Sequence, residues 1–173
     1  NLSTTMAVDD VARKYQREVN RTGIGQVFVA EGAVNYAAAI AGEGSGGIVF
    51  PRINYAHDSI AALGHIVALM AERGRPLSAL IAEIPRYTIV KREVVCPPQR
   101  AYSVIEELRR GVEAPWAEEV NLEDGVKLIG TDRWVHIRVS LTEPRIRVIA
   151  EADARGLAMD LADEYVRRTE RLL

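Results

Sequence analysis

A single cysteine in 173 residues removes two chemistries at once. Cys96 has no second thiol to bridge to and cannot build a cysteine-based zinc cluster, which suits a reducing compartment. Its place before Pro97-Pro98 reads as a passive, partly buried thiol. Histidine is nearly as scarce: His57, His65 and His136 are too scattered for a recognisable metal spacing, and His65 lies in an apolar helical stretch where a structural role is expected. A dominant charge is also missing. The formal net charge of -2 gives no global field for nucleic acid or an anionic membrane, so any anion site must be local. No run approaches the roughly 18 apolar residues of a membrane-spanning helix, and no basic-then-apolar leader opens the sequence, so the chain reads as cytoplasmic. Internal repeats and low-complexity segments are absent too.

What is present is ordinary globular material. With 48% hydrophobic and 27% charged residues, the chain can bury one substantial core or two small ones. Val8, Val11, Ala12 and Tyr15 recur at helical spacing, predicting a helix from about Ala7 to Arg17, with a short strand ahead of it over Leu2 to Thr5. A second strand is expected over Val19 to Thr22, then a helix from Gln26 to Ala38. Ile60, Leu63, Gly64, Val67 and Ala71 form an apolar stripe, Asp58 or Ser59 can cap it and Gly74 can end it. A short helix over Leu77 to Ile84 is closed by Pro85. From Thr88 the pattern changes to a strand, a proline break, a helix carrying Tyr102, Ile105 and Leu108, and strands over 120–122, 126–129, 134–139 and 146–151. A helix from Ala154 to Leu173 closes the chain. The order predicts an α/β domain over residues 1–86 and an α+β domain over 87–173, an antiparallel sheet with its helices on one face.

Two loops carry candidate chemistry. Arg138-Val139-Ser140-Leu141-Thr142-Glu143-Pro144-Arg145-Ile146-Arg147-Val148 concentrates guanidinium groups and hydroxyls between two alternating runs, the donor set of an oxyanion cradle. An ordinary polar turn with an ion pair between Glu143 and an arginine is the competing reading. Gly42-Glu43-Gly44-Ser45-Gly46-Gly47 is a glycine-rich loop between two segments expected to be buried, with one carboxylate and one hydroxyl, a pair suited to a neutral hydroxyl-rich ligand such as a sugar. A flexible connector explains it equally simply. It lacks the lysine and frame of a nucleotide P-loop.

Together the loops resemble those of the alpha-D-phosphohexomutases. The glycine loop is similar to that family's sugar loop, usually Gly-Glu-x-Ser-Gly-His, with Gly-Gly endings in archaeal-type members. The arginine loop is similar to its phosphate loop, usually Arg-x-Ser-Gly-Thr-Glu-Pro followed by an Arg-Val strand. Arg21-Thr22-Gly23-Ile24-Gly25 resembles its Thr-x-Val-Gly turn, and 77–81 with 84–87 resemble the end of its third domain. The resemblance covers nearly the whole chain. It implies a partial third domain, a mixed sheet with helices, followed by a fourth domain with a TATA-binding-protein-like fold. Glu43, Ser45 and Gly46 would bind the sugar, Arg138, Ser140, Thr142 and Arg147 the phosphate, and Arg21 and His57 are added candidate contacts.

No Ser-His-Asn-Pro-like segment and no Asp-x-Asp-x-Asp run occurs, so the family's phosphorylatable serine and magnesium cluster are not in this sequence. The chain starts with Asn1, which suits a piece of a longer polypeptide. The expectation is a C-terminal substrate-binding portion of a phosphohexomutase, with no catalytic residue, metal or cofactor of its own. Magnesium is implied only for the full-length enzyme. The expected partners are a glucose, mannose or glucosamine phosphate and the missing N-terminal domains. A stand-alone, non-catalytic sugar-phosphate-binding module is the alternative. Two positions depart from the family pattern. Gly47 stands where many relatives carry histidine, with His57 the candidate substitute, and Leu141 stands where they carry glycine, which disfavours a left-handed backbone in the cradle.

Overall fold

A computed structural model describes residues 1–111 and 114–173, which divide into two units, Asn1–Arg86 and Tyr87–Leu173. In the first unit, helix α1 spans Ala7–Lys14 with Asp9 and Asp10 in its first turn and Arg13 and Lys14 in its last, the order that the helix dipole favours. It stops before the expected Arg17, and Gln16 just beyond takes a positive φ of 54°. Helix α2 spans Gln26–Asn35 and buries Val29, Gly32 and Ala33. A hairpin of two short strands, β1 (Ala41–Gly42) and β2 (Ile48–Val49), follows, and Val49 joins Val29 and Ala33 in a small core.

The strands expected over Leu2 to Thr5 and Val19 to Thr22 do not form. A strand needs a ladder of partners. Between these segments Leu2 N donates to Thr22 O at 2.9 Å, and a side chain adds to the contact. Arg21 donates to the carbonyls of Asn1, Thr4 and Thr5 and pairs with Asp9.

Helix α3 spans Ser59–Arg73, with both ends placed as the sequence predicts. Asp58 accepts from Ala61 N at 2.8 Å, and Gly74 ends the helix at φ 60°. Its apolar stripe, however, is not buried: Ile60 is 85% and Leu63 62% exposed. Helix α4 is confined to Leu77–Ile81.

The second unit holds the larger core. Strand β3 (Thr88–Val95) ends at Cys96-Pro97, and helix α5 (Pro98–Arg110) begins with proline at its first position, where the missing N–H costs nothing. Strands β4 (Glu119–Asn121), β5 (Val126–Ile129), β6 (Arg133–Val139) and β7 (Arg145–Ala152) complete an antiparallel sheet in the order β3-β7-β6-β5-β4. Helix α6 (Arg155–Glu170) closes the unit. Val135, Ile137, Ile146, Val148 and Ala150 share one sheet face and pack with Val104, Ile105, Leu161 and Tyr165, so α5 and α6 cover the same face. The opposite face carries Trp134, His136, Arg138, Arg147 and Glu151, because side chains alternate along each strand.

One glycine in this unit is obligatory. Gly125, in the turn before β5, has φ 87°, and a Cβ there would lie 2.1 Å from the Ile137 carbonyl oxygen. Gly125→Ala is expected to lower stability by about 3 kcal/mol, from left-handed strain plus the collision. Urea unfolding of the chain measures it, and an unchanged midpoint would show that the turn relaxes.

Candidate functional site

The arginine loop is the β6–β7 connection. Ser140 N donates to Arg145 O at 2.9 Å, Arg145 N to Glu143 O at 2.8 Å, and Cys96 N to Pro144 O at 3.1 Å, so the loop is fixed at both shoulders. The residue replacing the family's glycine causes no backbone strain: the positive-φ non-glycine residues among those described are Gln16 and Ala37, and Leu141 is simply exposed. Thr142 is exposed beside it.

Arg138 and Arg147 are direct cross-strand partners, an arrangement that repels unless carboxylates intervene. Two intervene, in different ways. Arg138, 5% exposed, donates from Nε to Asp124 Oδ2 at 3.0 Å. Glu143 takes Arg147 at 3.0 Å and Arg145 at 3.3 Å, and Arg145 also pairs with Glu93. The first pair is largely enclosed, and breaking such a pair costs about 3–5 kcal/mol, whereas half-exposed pairs like those of Glu143 are worth about 0–1 kcal/mol. Arg138 is therefore anchored, while Arg145 and Arg147 can exchange their partner for an incoming anion. Three donors in the loop lack a hydrogen-bond partner although buried: Ser140 Oγ, Arg145 Nε and Arg147 Nε. Such groups are costly to leave unmade, and an oxyanion is the acceptor they fit.

Asp124 and His136 are the supporting residues that sequence reasoning missed. The turn at Gly125 lets Asp124 serve two strand residues, its carboxylate holding Arg138 and its carbonyl accepting from His136 Nε2. Burial pushes the His136 imidazole down to about 4; the Asp124 carbonyl and carboxylate oppose that, and Lys127 and Arg138 reinforce it. A neutral imidazole avoids a third positive charge beside the arginine pair. On the same face, Trp134 Nε1 donates to Glu151 at 2.6 Å, and Lys127 Nζ lies 4.5 Å from the indole centroid.

In the first unit the glycine loop is the β1–β2 turn. Glu43 N donates to Gly47 O at 2.9 Å and Gly46 N to Glu43 O at 3.0 Å, with Gly46 at φ 100°. The segment before the loop is not buried as expected, since Tyr36 and Ile40 are exposed. Ser45 and Gly46 form its exposed tip. The Glu43 carboxylate lies deeper, with Oε2 taking Asn1 Nδ2 at 3.0 Å and Oε1 3.3 Å from His57 Nε2. His57 is brought to the loop from ten residues further along the chain. Arg21 does not join it: its donors are spent on three carbonyls and Asp9, the work of a structural clamp. His65 stacks on Phe50, with centroids 4.6 Å apart. No group of three or more His, Cys, Asp or Glu able to hold a metal occurs among the described residues. No helix among them is long and apolar enough to cross a membrane.

Residues 1–87 match phosphoglucomutase/phosphomannomutase, alpha/beta/alpha domain III, and the chain belongs to that family. It is 34% identical to a probable phosphoglucosamine mutase of Methanopyrus kandleri over 96% of this chain and 36% of the relative. It is 30% identical to a phosphoglucomutase/phosphomannomutase of Thermococcus kodakarensis over 99% of this chain and 37% of the relative. The chain thus spans about a third of the length of the curated relatives it matches. A phosphoglucomutase/phosphomannomutase family protein of Burkholderia thailandensis shares the fold with a TM-score of 0.78 at 22% identity, covering 94% of this chain and 35% of that one.

The buried imidazole sets a pH dependence. Because the folded pKa of His136 lies below the ordinary 6.5, the unfolded chain binds more protons between 6.5 and 4, and stability rises with pH across that window. Acidification from pH 6.5 to 4 is expected to remove on the order of 3 kcal/mol through this residue. Urea midpoints of the wild type and His136→Gln measured across that range check it; parallel curves would remove His136 as the cause.

Proposed function

We propose that this chain is the substrate-binding portion of a phosphohexomutase, with a phosphate-binding loop in its second unit and a sugar-binding loop in its first. The observation that carries the reading is the buried, unpartnered Ser140 Oγ beside an anchored Arg138, with two further unpaired arginine donors on the same loop. Thr142 would add a hydroxyl from the exposed side, and Glu43 and Ser45 would take sugar hydroxyls with Gly46 allowing close approach. In the full-length protein, phosphate would move between O6 and O1 of a hexose through a phosphoserine and a bisphosphorylated sugar, with the serine and the magnesium supplied by the rest of the polypeptide. Nothing in this chain breaks a bond in that scheme. Its part is orientation: charge-assisted hydrogen bonds of about 1.5–3 kcal/mol each would keep the sugar phosphate placed.

The relatives named as phosphoglucosamine mutases favour glucosamine phosphate as the first substrate to try, with glucose and mannose phosphates beside it. The apolar stripe of α3, exposed over five large side chains from Ile60 to Leu69, would be covered by the remaining domains.

Calorimetric titration with glucosamine 6-phosphate tests the reading. Arg138→Ala should weaken binding more than Glu43→Ala, because a phosphate dianion depends on charged donors while a hydroxyl can rebond to water. Ser140→Ala should cost about 3- to 10-fold in affinity with no loss of thermal stability, since its Oγ makes no bond in the free protein. Glu143→Gln should strengthen binding by releasing Arg145 and Arg147. No binding by the wild type, or equal binding by all five proteins, would sink the proposal. Turnover of hexose 1-phosphate by the isolated chain would refute the division of labour.

A further inference from the structure

Gly47 has no side chain, yet the space that one would fill is occupied. A Cβ built there would lie 2.3 Å from His57 Cε1, 2.4 Å from Nδ1 and 2.6 Å from Nε2, so the imidazole sits where any other residue at 47 would have to be. This placement is not the accident of a loose rotamer, because the backbone carrying His57 is tied to the same hairpin. His57 forms an isolated β-bridge with Val49, and Asp58 N donates to Ile48 O at 2.8 Å. Asp58 is held in turn by Asn54 Nδ2 at 3.0 Å while it caps α3 through Ala61 N. The ring is three-quarters enclosed.

The imidazole is brought to the Glu43 carboxylate without being satisfied by it. Nε2 and Oε1 are within ion-pair reach at 3.3 Å, but the geometry is not that of a hydrogen bond, and the buried Nε2 has no hydrogen-bond partner. The second carboxylate oxygen is already held by Asn1 Nδ2. An unmade bond between an N–H donor and a carboxylate acceptor is the complement of a hydroxyl, whose oxygen can accept from the one while its hydrogen goes to the other. A bare anion would be repelled by Glu43, and an apolar group would leave both unpaired.

We propose that Gly47 and His57 are one functional unit: the imidazole of His57, admitted because residue 47 lacks a side chain, acts with Glu43 as a donor and acceptor pair that reads one ring hydroxyl of the hexose phosphate. This rests on the sugar-binding reading of the β1–β2 loop. It adds a substrate-binding residue from outside the loop, and it makes glycine at 47 a requirement of His57 and not a lost function.

The test follows the His57 ring signals by NMR while the 173-residue chain is titrated with glucose 6-phosphate and, separately, with inorganic phosphate. The sugar phosphate should move the His57 signals and inorganic phosphate should not. His57→Ala should weaken glucose 6-phosphate binding about tenfold, the worth of one well-placed hydrogen bond, and leave inorganic phosphate binding unchanged. Gly47→His alone should lose sugar-phosphate affinity because two side chains compete for one volume. The exchange Gly47→His with His57→Gly should recover affinity to within about threefold of wild type, an outcome that a purely structural role for His57 does not produce. If glucose 6-phosphate and inorganic phosphate both bind but His57→Ala matches the wild type, or its signals respond equally to both ligands, the pair is refuted and the phosphate-loop reading stands. If the wild type binds neither ligand, both loop readings fall together.

Discussion

The second unit is organised around one backbone turn. Gly125, in the left-handed region and pressed against the Ile137 carbonyl, sends the chain back so that Asp124 lies beside β6. From there one residue performs two tasks, neutralising Arg138 and satisfying His136. Without that turn, Arg138 and His136, neighbours on one face of a central strand, would lose the Asp124 carboxylate and carbonyl. Desolvation makes an unpaired buried charge far more costly than a lost surface contact, so the position of the arginine depends on the glycine.

Around that fixed point the loop divides its cations by how firmly they are held. Arg138 is enclosed with a dedicated carboxylate, and Arg145 and Arg147 share Glu143 in partial contact with water. A site that takes up and releases an anion would gain from this division. The anchored charge gives register, and the exchangeable ones adapt. The glycine loop follows a different logic, with a carboxylate fixed from one side and an imidazole delivered from beyond the hairpin.

The elements governed by local chemistry were legible in the sequence. Asp58 and Gly74 bound α3 because a cap and a left-handed terminator act within one turn, and β3 and β5 follow the alternation of their own residues. The two strands expected near the start failed for the complementary reason: Leu2 to Thr5 and Val19 to Thr22 have suitable residues, but strand formation depends on a neighbour that composition cannot supply. The same limit applies to the sites. The loop motifs could be read directly, and His57 was within reach because Gly47 raised the question of a replacement. Asp124 was visible only as a turn residue, since its partners lie 12 and 14 positions away and meet it through strand register. Arg21, a candidate contact by resemblance alone, has its donors on three backbone carbonyls and Asp9, partners 12 to 20 positions away that the residues around it do not announce.

Helix α3 is held at both ends by its own residues and buries none of its side chains. Its caps fix where the helix starts and stops, but a helix of this length gains most of its stability in water from an apolar face that something covers. Ile60, Leu63, Ile66, Val67 and Leu69 offer that face uncovered, so an apolar surface laid on it would tighten the helix and take the stripe out of water in one step.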